Sequence, residues 1–277
     1  MVDPLPGFVS ILERMMRRSA IGTALAVGCL ASAALPRAGE AAGSLRVAAA
    51  ANLKPALDEI AAAFQASQPG VEVKVTYGAS GILHAQIASG APYGLFLSAD
   101  AVHPAKLAAA GLADPEGPFT YAMGGLVVWV PRGSGLDLAG AGLRALLHPS
   151  VRKVAIANPA TAPYGAAAVA AMKASGVHAG LSGRLVLGES VSQTAQFAES
   201  GGAQAAFLPR SLAMGPPLDR EGTVFEVPPE TYPPIEQAGV VLKGARDAPL
   251  ARAFAAWLRG PPGRAILARH GYGLPGR

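Results

Sequence analysis

The sequence has a single cysteine, Cys29, and charged side chains make up only 15% of its 277 residues. One cysteine cannot form an intrachain disulfide, and it leaves the chain beyond residue 42 without a thiolate metal ligand or a cysteine nucleophile. Aromatic residues are also scarce, at 6%, and lysine and arginine are scattered rather than clustered. The chain therefore lacks the basic surface with interleaved aromatic side chains that is typical of nucleic-acid binding.

Catalytic and metal-binding motifs are missing as well. No Gly-x-x-x-x-Gly-Lys-Ser/Thr loop is present, and none of the five histidines has the spacing of a metal-binding pair. The run Gly78-Ala79-Ser80-Gly81-Ile82 approaches a serine nucleophile elbow, but Ile82 stands where glycine is required. A serine nucleophile also needs a base, and His84, one helical turn after Ser80, is the nearest histidine in the sequence.

Residues 1–42 have the pattern of a secretory signal. Arg14, Arg17 and Arg18 precede an apolar run over residues 20–35, and small residues follow up to position 42. The run is shorter than the roughly 20 residues needed to span a bilayer. We expect export and removal of this segment; the alternatives are a membrane anchor or, because residues 26–29 weakly resemble a lipoprotein box, a lipid on Cys29.

Beyond residue 42, strand and helix patterns alternate along the chain. This alternation predicts an α/β protein with mostly parallel sheets. Two strongly apolar strands, at 126–130 and 240–242, are interpreted as the hinge crossings of a two-lobe protein. The expected lobes are 44–122 plus 245–277, and 123–244; the alternative is a single lobe with two ordinary strands.

Two strand-to-helix junctions are the strongest local indication of a binding site. Residues 48–52 and 77–81 each follow an apolar strand and lead into a helix that begins near a short polar residue, Asn52 in one case and Ser80 in the other. The N-terminus of a helix has unpaired N–H groups and a partial positive charge, so two such ends facing one space would bind an oxyanion without a charged side chain. For either residue alone, ordinary N-capping is the competing interpretation.

With these junctions in view, the chain resembles the periplasmic molybdate-binding proteins of ABC transporters over residues 44–277. The matching stretches are Val47-Ala48-Ala49-Ala50-Ala51-Asn52-Leu53, Tyr77-Gly78-Ala79-Ser80-Gly81, the segments 90–100 and 157–165, and the C-terminal run from Leu258-Arg259-Gly260-Pro261 to Gly271-Tyr272-Gly273.

The resemblance implies a type II periplasmic binding protein: two α/β lobes, a hinge of two crossing segments and a ligand cleft between them. It implies a non-enzymatic, monomeric receptor in the periplasm that needs no cofactor and delivers molybdate or tungstate to a membrane permease driven by an ATPase. It also implies the ligand contacts, with Ser80, Asn52 and the backbone of Ala51 in the first lobe, and Tyr164 and the backbone N–H of Val191 in the second.

The chain departs from the family pattern at two places. Some relatives place a tyrosine hydroxyl on the anion near the segment that here reads Phe207-Leu208-Pro209-Arg210, in which Pro209 has neither a hydroxyl nor an N–H. Family members also often have aspartate at the position of Gly94. Three alternatives stay open from the sequence: a receptor for another oxyanion or a small organic anion, a secreted serine hydrolase that uses Ser80, and a signalling or scaffold protein that binds a partner through its surface.

Overall fold

A computed structural model describes residues 43–276, so the expected secretory segment and Cys29 lie outside the described residues. The strands are β1 Gly43–Ala50, β2 Val71–Gly78, β3 Leu95–Leu97, β4 Phe119–Gly124, β5 Leu126–Pro131, β6 Val154–Ala157, β7 Leu185–Gly188, β8 Ala205–Pro209, β9 Gly222–Glu226 and β10 Ile235–Val241. The helices are α1 Lys54–Ser67, α2 Ser80–Ala88, α3 Val102–Ala109, α4 Leu138–Ala141, α5 Pro163–Ala174, α6 His178–Leu181, α7 Val191–Glu199, α8 Arg210–Ala213, α9 Leu218–Glu221, α10 Ala248–Arg259 and α11 Pro261–Arg269. Short 3-10 turns occupy Ala51–Leu53, Gly142–Leu147, Ser182–Arg184 and Pro229–Thr231.

The strands form two five-stranded sheets with the same kind of order. The first sheet runs β2-β1-β3-β10-β4 and the second runs β7-β6-β8-β5-β9. In each sheet the first three strands are parallel, and the last two join by antiparallel pairings. The sheets are therefore mixed, not mostly parallel as the alternation of helices and strands suggested. Apolar periodicity identifies a strand but does not give the direction in which it enters a sheet.

The chain passes between the sheets twice. β4 belongs to the first sheet and β5 to the second, with Gly125 between them, and residues 227–234 lead from β9 back to β10. We call the part of the structure built on the first sheet, with α1, α2, α3, α10 and α11, the first lobe, and the part built on the second sheet the second lobe. Both ends of the described chain therefore lie in the first lobe.

This topology corrects two expectations about the hinge. The apolar strand that contains Val240 pairs with β3 and β4 in the first sheet, so it does not belong to the span 123–244 expected for the second lobe. The two apolar strands are likewise not the crossings themselves, because each lies wholly within one sheet. Strands buried on both faces are apolar wherever they sit, so composition did not distinguish a hinge from a sheet centre.

Local sequence explains the elements that lead to the two junctions. The helix α1 has Pro55 in its first turn and buries Leu57, Ile60 and Phe64 against the first sheet, as the apolar spacing predicts. The last four residues of β1 are buried, as expected for a strand between two neighbours with both faces covered. Among residues 43–276, no helix is both long and apolar enough to cross a bilayer.

The apolar core of the second lobe continues into the first. It contains strand residues of the second sheet together with first-lobe alanines at the ends of strands, namely Ala50, Ala51, Ala79 and Ala99. The two lobes therefore pack against each other where β1 and β2 give way to helices.

Candidate functional site

One small cavity between the lobes collects all five residues that the sequence proposed as ligand contacts. It is small, with about 200 Å³ of empty space including the part that opens to solvent. None of its lining residues carries a charged side chain: they are Ala50, Ala51, Asn52, Gly78, Ala79, Ser80 and Ala99 from the first lobe, and Ala162, Pro163, Tyr164 and Val191 from the second.

Ser80 is the first residue of α2 and does not cap it. The capping position belongs to Ala79, which makes no side-chain cap hydrogen bond. The Ser80 hydroxyl oxygen instead accepts a hydrogen bond from the Ala99 backbone N–H at 3.0 Å, and the side chain is 1% exposed. Because that bond uses a lone pair and not the proton, the hydroxyl can still donate into the cavity.

Asn52 also has no capping role, because the short turn Ala51–Leu53 shows no side-chain cap hydrogen bond. Its carboxamide Nδ2 donates to Gln237 Oε1 and to the Tyr272 hydroxyl, both at 2.8 Å. The Tyr272 hydroxyl in turn donates to the Asn52 backbone carbonyl at 2.8 Å. The Asn52 Oδ1 atom is buried and has no partner within residues 43–276. Ordinary capping is thus wrong for both polar residues.

The second lobe contributes Tyr164 in the first turn of α5. Its hydroxyl lies against the backbone of Gly124, where an added Cβ atom would come within 2.2 Å of it. Burial raises the pKa of the Tyr164 hydroxyl well above its usual value of 10, with smaller contributions from Tyr272 and Tyr232. The hydroxyl therefore stays protonated and remains a hydrogen-bond donor at physiological pH.

Val191 is the first residue of α7, and Ser190 caps that helix by accepting a hydrogen bond from the Gln193 N–H at 3.4 Å. The first N–H groups of a helix have no acceptor within it, so the Val191 N–H adds a donor and the positive end of a helix dipole to the cavity wall. Its side chain is buried in the core of the second lobe.

Two hydrogen bonds join the lobes beside the cavity. The Gly81 N–H donates to the Thr161 carbonyl at 2.9 Å, and the Ser211 hydroxyl of α8 donates to the Asn52 carbonyl at 3.1 Å. The structure is therefore a closed form, in which groups from both lobes surround the same space.

The geometry gives Ser80 no catalytic base. The rings of His84 and His103 lie 5.2 Å apart, and His103 Nδ1 hydrogen-bonds the Asp100 carboxylate at 2.7 Å. Within residues 43–276, no histidine hydrogen-bonds the Ser80 hydroxyl, which a nucleophile requires. The same part of the chain contains no cluster of three or more metal-ligating side chains.

The two positions that depart from the family pattern lie away from the cavity walls. Pro209 ends β8 and is not among the cavity-lining residues. Gly94 precedes β3 and lines a different surface cavity, beside Arg46 and Arg246.

Residue patterns did not reveal the residues behind the cavity. Three buried side chains contact Asn52 without lining the cavity. They are Gln237 on β10, Ser211 on α8 and Tyr272, which follows α11. The one available signal was the C-terminal run Gly271-Tyr272-Gly273, which carried part of the resemblance without an assigned role.

Comparison with known proteins agrees with this architecture. The family model described as bacterial extracellular solute-binding protein matches residues 45–273. The molybdate-binding protein ModA of Rhodobacter capsulatus is 40% identical over 93% of this chain and 96% of its own length. ModA of Azotobacter vinelandii is 36% identical over 92% of this chain and 98% of its own length.

A solved structure shares the fold. The periplasmic molybdate-binding protein of Azotobacter vinelandii superposes with a TM-score of 0.78 at 35% identity, covering 84% of this chain and all of that one. The two-lobe α/β fold and the solute-binding architecture are thus common to both proteins. The chain belongs to the bacterial extracellular solute-binding protein family.

Proposed function

We propose that this protein binds molybdate in the cavity between its lobes and delivers it to the membrane permease of an ABC transporter. The observation that carries the proposal is the convergence of uncharged donors from both lobes on one small cavity. The proposed contacts are Ser80, Asn52 and Ala51 from the first lobe, and Tyr164 and the Val191 N–H from the second. Relatives that are 36–40% identical over nearly the whole chain and are named for molybdate binding support the choice of ligand.

The chemistry of the cavity suits a tetrahedral dianion. Hydrogen bonds to an ionised acceptor are about twice as strong as those between neutral groups, so several neutral donors hold an anion without a counter-charge. Helix N-termini at Ser80 and Val191 add partial positive charge. Because no charged side chain lines the cavity, the strength of binding depends on how many of these donors the anion reaches.

Selection by size follows from the same arrangement. Sulfate is smaller than molybdate, so within a closed cavity of fixed shape it leaves some donors unmet. A buried donor without an acceptor costs about 1–3 kcal/mol. Tungstate has nearly the size of molybdate, and we propose that the protein binds both.

As a member of an extracellular solute-binding family, the protein is a binding protein and not an enzyme, and it works outside the cytoplasm. We further propose that residues 1–42 direct its export and that it acts as a monomer. The arginines before an apolar run in that segment support the export signal.

Calorimetric titration of the purified protein with molybdate, tungstate, sulfate and phosphate at fixed pH and salt tests the proposal. We expect one molybdate or tungstate ion per chain, bound at least tenfold more tightly than sulfate. Tight binding of sulfate or of an organic anion, with no response to molybdate and tungstate, would overturn the proposed ligand. Gel filtration with light scattering tests whether the protein is a monomer in solution.

A further inference from the structure

The donors of the Asn52 side chain are already used inside the first lobe. Both carboxamide hydrogens have acceptors at 2.8 Å, one on Gln237 and one on Tyr272. All three side chains are buried, with Asn52 1% exposed and Gln237 fully enclosed. The carboxamide therefore has no N–H left for a ligand in the cavity.

The neighbouring groups fix the direction of this amide. Gln237 Nε2 faces the backbone carbonyls of Ala99 and Ile235, each at 3.4 Å, so its Oε1 atom must face Asn52. Turning the Asn52 carboxamide over would place two oxygens against each other. The Tyr272 proton goes to the Asn52 carbonyl, which leaves the hydroxyl oxygen to accept from Nδ2.

The Tyr272 hydroxyl thus holds Asn52 at two points, its backbone carbonyl and its carboxamide. These contacts fix the turn Ala51–Leu53, whose first N–H groups have no acceptor within the turn. The donors that this turn offers to the cavity are consequently the backbone N–H groups of Ala51 and Asn52.

We propose that Tyr272, together with Gln237, is a positioning residue of the oxyanion site, and that Asn52 binds the anion through its backbone N–H and not through its carboxamide. The inference rests on the proposed function, because it concerns the same cavity. It assigns a ligand-binding role to the C-terminal segment after α11, whose side chains do not line that cavity.

The chain contains a matched control for a Tyr272→Phe variant. Tyr121 on β4 is also buried in the first lobe, and its hydroxyl also donates to a backbone carbonyl, that of Ser98, at 2.9 Å. Both Tyr→Phe variants remove one buried hydroxyl, so we expect similar losses in the free energy of unfolding. Tyr272→Phe should raise the calorimetric dissociation constant for molybdate by tenfold or more, and by more than Tyr121→Phe, which contacts the site only through the peptide unit of Ser98 and Ala99.

A second variant and a spectroscopic measurement keep the test decisive if Tyr272→Phe folds poorly. Gln237→Met removes the other acceptor of the Asn52 amide and should also weaken molybdate binding. In ¹H–¹⁵N spectra of the wild type, molybdate should shift the backbone amide signal of Asn52 strongly and its side-chain amide signals little.

The outcomes separate the two proposals. If the wild type binds neither molybdate nor tungstate, the proposed function fails and this inference fails with it. If the wild type binds but Tyr272→Phe and Tyr121→Phe change affinity equally, or if the Asn52 side-chain amide shifts more than its backbone amide, only the positioning role is overturned.

Discussion

At the residue scale, the proposed site consists of neutral groups. The hydrogen bonds that each group makes within the protein determine which of its donors is left for a ligand. The Ser80 hydroxyl accepts from the Ala99 N–H and so keeps its proton for a ligand. The Tyr164 hydroxyl keeps its proton because burial raises its pKa. Each hydroxyl is therefore available as a donor over the whole physiological pH range.

A Ser80→Ala variant measures one of these donors directly. A hydrogen bond to a charged acceptor contributes about 1.5–3 kcal/mol, so we expect molybdate affinity to fall roughly 10- to 150-fold in calorimetry. Ser67→Ala is the control, because that exposed serine bonds a carbonyl of its own helix at 2.7 Å. Unchanged affinity in Ser80→Ala would remove Ser80 from the proposed contacts.

Asp100, beside the cavity-lining Ala99, allows a prediction about pH. Burial opposes its ionisation, but hydrogen bonds from His103 and Ser98 outweigh burial and lower the pKa of the carboxyl. A carboxyl with a lower pKa in the folded state adds stability above its unfolded pKa of about 4 and loses it as pH falls through the folded value.

We therefore expect Asp100→Asn to be less stable than the wild type at neutral pH. Its free energy of unfolding should also decline less as the pH falls below about 4. Denaturant unfolding at a series of pH values measures both effects. Asp219→Asn, at an exposed position on α9, should follow the wild-type profile. Parallel profiles for the wild type and Asp100→Asn would contradict the account.

At the scale of elements, each proposed ligand contact lies where a strand gives way to a helix or turn. β1 leads to Asn52, β2 to Ser80, β6 to Tyr164 and β7 to Val191. Close packing holds the third of these junctions, because a Cβ atom on Gly165 would lie 2.1 Å from the Ala157 carbonyl at the end of β6. The start of α5 is thus fixed against the end of β6.

Gly124, the last residue of β4, controls the position of Tyr164. A Gly124→Ala variant would place its methyl group 2.2 Å from the Tyr164 hydroxyl and 2.9 Å from Gln237 Nε2. The tyrosine must then move, and we expect molybdate affinity to fall by tenfold or more in the same titration. Gly183→Ala is the matched control, since nothing lies within 4 Å of its added atom. Equal molybdate affinity in both variants would show that Tyr164 accommodates the added methyl group without loss of binding.

At the scale of the whole molecule, the closed form places proposed donors of both lobes around one cavity. The Ser211 hydroxyl and the Gly81 N–H make hydrogen bonds from lobe to lobe without contributing a side chain to the cavity. Such bonds favour the closed form, and a ligand held only by that form is released when it opens.

Removing the Ser211 hydroxyl should therefore weaken binding without touching the anion. One neutral hydrogen bond contributes about 0.5–1.5 kcal/mol, which predicts a roughly 2- to 12-fold loss of affinity in Ser211→Ala. Stopped-flow measurements should place most of the change in the dissociation rate. Ser182→Ala is the comparison, because its hydroxyl bonds a carbonyl within its own lobe at 3.0 Å. A change confined to the association rate would argue against a role in closure.

The local sequence determined individual secondary-structure elements and indicated two of the proposed ligand contacts. The spacing of Leu57, Ile60 and Phe64 gave α1 its buried face, and the small residues after β1 and β2 marked the helix starts at which Asn52 and Ser80 lie. These features depend on residues close in the chain, so periodicity and helix-terminus chemistry were enough to predict them. Tyr164 and Val191 entered only through the family resemblance, because an aromatic residue and a valine at helix starts are indistinguishable from core residues.

Tertiary structure alone decided the rest. Whether Val240 belongs to a hinge or to the first sheet depended on which strands it pairs with, and a buried strand has the same composition in either place. The contacts of Asn52 with Gln237 and Tyr272 join residues about 185 and 220 positions apart. Hydrogen-bond donors and acceptors at such separations acquire their roles only when the folded chain brings them to one point, so no local pattern revealed which atoms of Asn52 remain free for a ligand.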